Sequence, residues 1–458
     1  MDAAYSFVKF INETQYQDIP AATIAVAKKS LLDILGLGLA GTKEEEMPQL
    51  YELVSGWGGR PDSSVIGYGC KLPCPEAVFV NAAMCHAPEC DDTYWRAGLH
   101  PSASVVPSGL AVSEMIGGVD GKKFLAAQCV ATEFGIRVGK ATIYKRPDVS
   151  VMAGWDNSAI LGFFMAAAIG GKLLGFSKET LHNALGLAYS QAAGNEQCIR
   201  DGALTKRMGP GFGARGGLTA ALMAQKGMTG AKDIFDEGKT SYYVVYHAGH
   251  NSEPLFNGLG TEYLMTGMAH KANHCTLSLA ATINAGAQLV KENNIKLDEI
   301  EEVLVYSATR NEVVSFPEEI KKKPRSVADA QFSIPWTAAC GIVRGKADKE
   351  DFDADARKDP DMLAVAAKVK SILDPSITAM EHTNMTIRTK RGEFSVKITD
   401  PYGTIGNPMT YQDVAKKFKK YSSYGVKQIS DTNKQTVIDM VENLEDVKDV
   451  TKIMQLIA

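Results

Sequence analysis

The chain has 458 residues, 45% of them hydrophobic and 22% charged, and a formal net charge of -4. That length supplies a large buried core and suggests two to three domains. The near-neutral balance argues against nucleic acid as the main partner, and the short basic runs Lys321-Lys322-Lys323 and Lys416-Lys417-Phe418-Lys419-Lys420 read as solvated faces.

Met1-Asp2-Ala3-Ala4 has no basic region followed by an apolar stretch, so no secretory leader is expected. The longest apolar uncharged run, Asn157 to Gly171, falls short of the ~20 residues that a bilayer span needs, and no membrane partner is expected. The eight cysteines form no Cys-x-x-Cys pair and show no iron–sulfur spacing. A chain of this size needs no disulfides, so reduced thiols in a cytoplasm fit best.

Pro20 to Gly41 predicts the first clear helix. Proline stands near its start, apolar residues recur at Ile24, Ala27, Leu31, Ile34 and Leu35, and glycine follows. The next feature is a polar, turn-like segment, Glu89-Cys90-Asp91-Asp92-Thr93, between Pro88 and Gly98. Ionised carboxylates this close repel, which can lift one of them toward the range useful for acid/base work. Read blandly, they are an N-cap and solvated loop acids. His100-Pro101-Ser102 then suits a helix that begins at Pro101, with the imidazole held just before it. A helix N-terminus favours the neutral ring, a usable base. Cys85, His86, Cys90, Asp91 and His100 form the rival metal reading, but their spacing fits no standard pattern, and no metal is expected.

Helices are predicted over Lys122–Lys140, Ser158–Leu174 and Ser177–Ala193, with Ser177 as an N-cap. Leu204-Thr205-Lys206-Arg207 then leads into the glycine-rich stretch Met208 to Gly217. Gly211-Phe212-Gly213-Ala214-Arg215-Gly216 matches a dinucleotide fingerprint literally, but no hydrophobic strand precedes it. The better reading is a glycine loop that opens the helix Leu218–Lys226, a corner able to bind an anion beside two cations. The bland reading is glycine required for tight packing.

The pattern changes near Lys271, at the junction of two predicted domains, where pockets are favoured. Cys275 reads as a core cysteine. Helices are predicted at about Cys275–Glu292 and Pro335–Gly345. Strands are predicted at Ile300–Tyr306 and as a hairpin of Met385–Thr389 with Phe394–Ile398. From Tyr411 onward the chain is helical again. The fold class is therefore mainly α with an α+β part: a large helical domain over 1–268 and a smaller α+β domain over 269–401, with 402–458 rejoining the first or standing alone.

Taken together, Ala87 to Thr93 with His100-Pro101-Ser102, Thr205-Lys206 with its glycines, the segment at Lys271, and Gln331-Phe332-Ser333-Ile334-Pro335 resemble the MmgE/PrpD superfamily. The resemblance covers roughly residues 1–400 and, more loosely, the tail. This superfamily includes 2-methylcitrate dehydratase, cis-aconitate decarboxylase and iminodisuccinate epimerase. It implies an all-helical domain completed by residues 402–458 and an α+β lid. It also implies a homodimer, no cofactor, and a cleft that takes a small di- or tricarboxylate. Glu89 stands where cis-aconitate decarboxylase has an aspartate. Thr93, His100, Lys206 and Lys271 match the family's site threonine, histidine and lysines. Two departures stand out. Trp155 replaces a histidine of the relatives' Gly-x-His-Pro-Thr-like element, and Arg310–Pro317 contains no tyrosine where the decarboxylase has one. A different acid or a different outcome is expected.

The resulting expectation is a dehydratase-type lyase that abstracts a proton next to a carboxylate. His100 would be the acid/base, Asp92 or Glu89 its orienting group or second proton carrier, and Lys206 and Lys271 a carboxylate clamp. Thr93, Arg207, Trp155 and Asp91 would complete the substrate contacts. An epimerase or decarboxylase uses the same carbanion. A non-catalytic carboxylate-binding protein is the rival from another class.

Overall fold

The computed structural model describes residues 2–143, 154–235 and 238–458. Its longer helices are α1 (Ala3–Glu13), α2 (Ala21–Gly41), α3 (Cys74–His86), α4 (Pro101–Ile116), α5 (Gly121–Ala141), α6 (Asn157–Leu173), α7 (Lys178–Tyr189), α8 (Gly209–Gln225), α9 (Ala280–Asn293), α10 (Tyr411–Ser422) and α11 (Asp431–Glu442). Local chemistry fixes several starts. Asp120 accepts from Lys123 N at 2.9 Å, Ser177 from Thr180 N at 3.1 Å, and Asp156 from Ser158 N at 2.9 Å. Each supplies an acceptor to a backbone donor that has no partner within its own helix. Among the described residues, no helix is long and apolar enough to cross a membrane.

The glycine-rich stretch is not a loop. Helix α8 begins at Gly209 and carries the glycines through its first two turns. A Cβ at Gly211 would lie 2.7 Å from Phe79 O, one at Gly213 2.5 Å from Ala159 O, and one at Gly217 2.2 Å from Phe163 O. The glycines therefore let α8 press against the backbones of α3 and α6. Gly217→Ala should lower the unfolding free energy by ~1–3 kcal/mol of overpacking, less the ~1 kcal/mol that alanine gains in helix propensity, and the urea midpoint should fall with it. An unchanged or raised midpoint would show that the helices can part freely.

Buried side chains form two clusters. The first joins residues from Ala3 to Met268 with the tail from Met409 to Ile457. The tail is tied in closely: a Cβ at Gly36 of α2 would lie 3.0 Å from Phe418 Cα of α10. The second runs from Cys275 to Ile387, with Leu204 added from the first part. Here four strands, β1 (Ile300–Ser307), β2 (Val369–Leu373), β3 (Thr383–Thr389) and β4 (Gly392–Ile398), pair in the order β2-β1-β3-β4. Strands β3 and β4 form the predicted hairpin, and β1 lies antiparallel to β3. Strand β2 was not predicted. It pairs parallel to β1, with Val303 opposite Val369. The predicted helix Pro335–Gly345 is a short helix, Ile334–Ala339, that widens into a π turn over Cys340–Arg344.

Candidate active site

The acidic segment follows α3 directly. Glu89 takes a left-handed backbone, φ 54°, uncommon outside glycine. The chain turns there and carries Cys90, Asp91, Asp92 and Thr93 through the interior, all buried. Three contacts fix this buried loop. Asp92 accepts from Ser102 Oγ at 2.6 Å and from Ser102 N at 3.3 Å, which braces it on the first turn of α4. Thr93 and Ala269 exchange backbone hydrogen bonds of 2.9 Å each, which draws the segment containing Lys271 alongside. Lys417 of α10 donates to Cys90 O at 2.7 Å and pairs with Asp33 Oδ1 at 2.7 Å.

Glu89 lies between two lysines. Lys206 pairs with its Oε2, and Lys271 stands 3.3 Å from its Oε1. Lys271 also donates to Glu89 O at 3.0 Å and lies 3.5 Å from Asp91 Oδ1. Two carboxylates thus face two ammonium groups with little water between them. Burial opposes ionisation of Glu89, but Lys206 and Lys271 override it and hold the carboxyl well below its usual range. Burial likewise disfavours the Lys271 charge, and Glu89 and Asp91 restore it, leaving its pKa raised. Asp92 goes the other way: burial dominates and lifts it to about 7, against the hydrogen bond from Ser102.

His100 caps α4, as its position before Pro101 predicts. Its Nδ1 lies 3.0 Å from Asp92 O, 3.0 Å from Thr93 Oγ1 and 3.7 Å from Asp91 Oδ2. A carbonyl oxygen only accepts, so Nδ1 carries the proton and Nε2 keeps a free lone pair. Burial, reinforced by Lys271 and Lys206 against the pull of Asp91, pushes the imidazole down to about 3. Asp91 also binds His86 Nδ1 at 2.8 Å. His86, whose ring centroid lies 5.0 Å from that of His100, is fully buried. Ligand atoms of His86, Asp91 and His100 lie within 4.8 Å of one another, the one such group among the described residues. The donor set fits a hydrogen-bonded triad better than a metal shell. Asp91 Oδ2 is already shared between the two rings, and Lys271 claims Oδ1.

A cavity of about 80 Å³ opens on these groups, between the two buried clusters. Glu89, Thr93, His100 and Lys206 line it on one side. Thr276, Arg310, Asn311, Val314, Phe332 and Met380 line it from the second cluster's part of the chain. Lys271 and Asp91 sit behind Glu89 and His100 and do not line the cavity.

Lys271 and Asp91, expected to touch substrate, thus stand behind the wall, and three more residues depart from expectation. The Asp92 carboxylate is spent on Ser102, and it is the Asp92 backbone oxygen that orients His100. Arg207 turns away, pairing with Glu44 Oε2 at 3.3 Å and donating to Glu45 O at 3.2 Å. Trp155 packs edge-on against Tyr246, ring centroids 5.0 Å apart, and pairs by backbone with Asn195. Cys275 is a core residue of the second cluster, as expected. Sequence reasoning weighed His86 only as a metal ligand and gave Arg310 no role. Nothing in local periodicity marks either one.

Residues 5–254 match the MmgE/PrpD N-terminal domain and residues 275–446 the MmgE/PrpD C-terminal domain. Among curated relatives, the cis-aconitate decarboxylase-like protein oryM of Aspergillus oryzae is 26% identical over 98% of this chain and 96% of its own length. The cis-aconitate decarboxylase of Aspergillus terreus is 25% identical over 96% of this chain and 92% of its own. That of Mus musculus is 25% identical over 99% of this chain and 92% of its own.

Proposed function

Because the chain belongs to the MmgE/PrpD family, we propose that it is a lyase that abstracts a proton next to a carboxylate of a small di- or tricarboxylic acid. The observation that carries this reading is His100: a neutral ring in the cavity wall, with Nδ1 tied down and Nε2 left over. Nε2 takes the proton from the α-carbon, and the C–H electron pair passes into an enolate-like carboxylate. Lys206, which lines the same cavity, stabilises that charge. Lys271 acts one step behind, holding Glu89 and Asp91 in place. Thr93 shares the Nδ1 proton of His100 and fixes the ring plane.

From this intermediate, a hydroxide leaving the neighbouring carbon with a proton gives water and an alkene, the dehydratase outcome. Decarboxylation, the outcome named in the relatives, reaches a like carbanion without that proton abstraction: the C–CO2 bond breaks, its electron pair stays on carbon, and one proton is added there. The missing tyrosine in Arg310–Pro317 and the turned-away Trp155 favour the first. Glu89 is held ionised and serves as structure rather than as the acid.

Proton NMR in heavy water tests this reading, with citrate, 2-methylcitrate, cis-aconitate and malate offered to the folded protein. Deuterium should enter an α-position of at least one acid. No exchange into any of them would overturn the proposal and leave the carboxylate-binding alternative.

A further inference from the structure

The cavity's charges are unevenly used. Lys206 is paired with Glu89, and Lys271 behind it is shared by Glu89 and Asp91. Each of these ammonium groups therefore reaches an incoming carboxylate only in competition with a carboxylate already present. Arg310 differs. It lines the cavity, it is exposed, and its guanidinium makes no hydrogen bond or ion pair with any described residue, Glu89 and Glu196 of the same cavity included. It also lines an adjoining outer groove of about 310 Å³ together with Arg96 and Glu381, so it stands where the cavity meets solvent.

Its surroundings say what it would bind. Val313, Val314, Phe332 and Met380 line the cavity from the same part of the chain as Arg310. This apolar surface suits the uncharged middle of a ligand. A guanidinium at the edge of such a surface matches a carboxylate with two parallel N–H donors. The reacting end of the cavity, with His100, Thr93 and Lys206, takes one carboxylate and the carbon next to it. An arginine on the other wall takes a second.

We propose that Arg310 is a specificity-determining residue: it binds the substrate carboxylate remote from the reacting carbon and restricts the enzyme to acids that carry at least two. The inference rests on the lyase reading for which end reacts, but not for whether Arg310 binds.

Arg310→Gln and Arg310→Lys test it in the full chain. With the acid that exchanges deuterium, Arg310→Gln should raise KM ~10- to 100-fold, the worth of a charged hydrogen-bonded pair, and leave kcat nearly unchanged. Arg310→Lys should recover part of the loss. An unchanged KM, or a fall in kcat alone, overturns the assignment. A second readout separates this from failure of the lyase reading. Melting temperatures are followed with tricarballylate and with butyrate. Tricarballylate should raise the melting temperature of wild type well above that of Arg310→Gln, and butyrate should not tell the two apart. That pattern without deuterium exchange keeps Arg310 and removes the lyase. Equal shifts with tricarballylate, or none, remove Arg310.

Discussion

Replacing His100 with alanine should slow deuterium exchange ~100-fold or more, the ordinary contribution of a positioned general base. Two further variants show which nitrogen matters. Asparagine can still donate to Asp92 O as Nδ1 does, but it has no counterpart of Nε2. Glutamine places an amide near the Nε2 position but is not a base. Both should be as slow as alanine if Nε2 takes the proton. A near-normal rate in any of the three removes His100 from the mechanism. The pH dependence follows from burial. The ring's pKa is pushed down to about 3, so it is protonated only below that value and stays a free base across the neutral range. The kcat/KM of the free enzyme should therefore show no acid limb at the usual histidine value of ~6.5. A bound polycarboxylate puts negative charge beside the ring and raises its pKa, so the limb in kcat should lie at higher pH than that in kcat/KM. Coincident limbs would contradict this account.

Lys271→Met should destabilise the fold by ~3–5 kcal/mol, because it strands buried carboxylates without their cation. The lysine serves Glu89 Oε1, Glu89 O and Asp91 Oδ1 together, and its side chain is 2% exposed. Urea unfolding followed by circular dichroism measures the loss. The double variant Lys271→Met/Glu89→Gln removes one orphaned charge as well and should recover part of it. A loss below ~1 kcal/mol would mean that the cluster behaves like an exposed ion pair, with water reaching it freely.

The site was half legible in the sequence, and the legible half is the contiguous one. Glu89, Thr93 and His100 fall within one short segment framed by Pro88 and Pro101, so their proximity needs no tertiary information. Lys206 was visible for a similar reason, but its neighbour Arg207 was misread as a partner. Both belong to one 3-10 turn, Leu204–Met208, where successive side chains point ~120° apart. One reaches the cavity, and the other reaches Glu44 on the far side. The glycines were misplaced because a helix that needs glycine for contact and a loop that needs it for conformation read alike. Strand β2 escaped because a parallel neighbour lies far away in sequence and leaves no hairpin signal. Arg310, Phe332 and Met380 escaped for the same reason. They reach the cavity only once the second cluster packs against the first.

The bond from Lys417 to Cys90 O also bears on how the protein is made. The loop that holds Glu89 and Asp91 is pinned by a side chain synthesised more than three hundred residues later. The first core likewise includes Val437, Leu444 and Ile453. A ribosome delivers the chain from its N-terminal end, at ~5–20 residues per second. The helical part therefore waits, incomplete and with apolar surface uncovered, while the whole sheet-containing part is translated. In this protein the first half to emerge is the last to close, and the polar interior of its cleft is assembled only when the tail helix arrives.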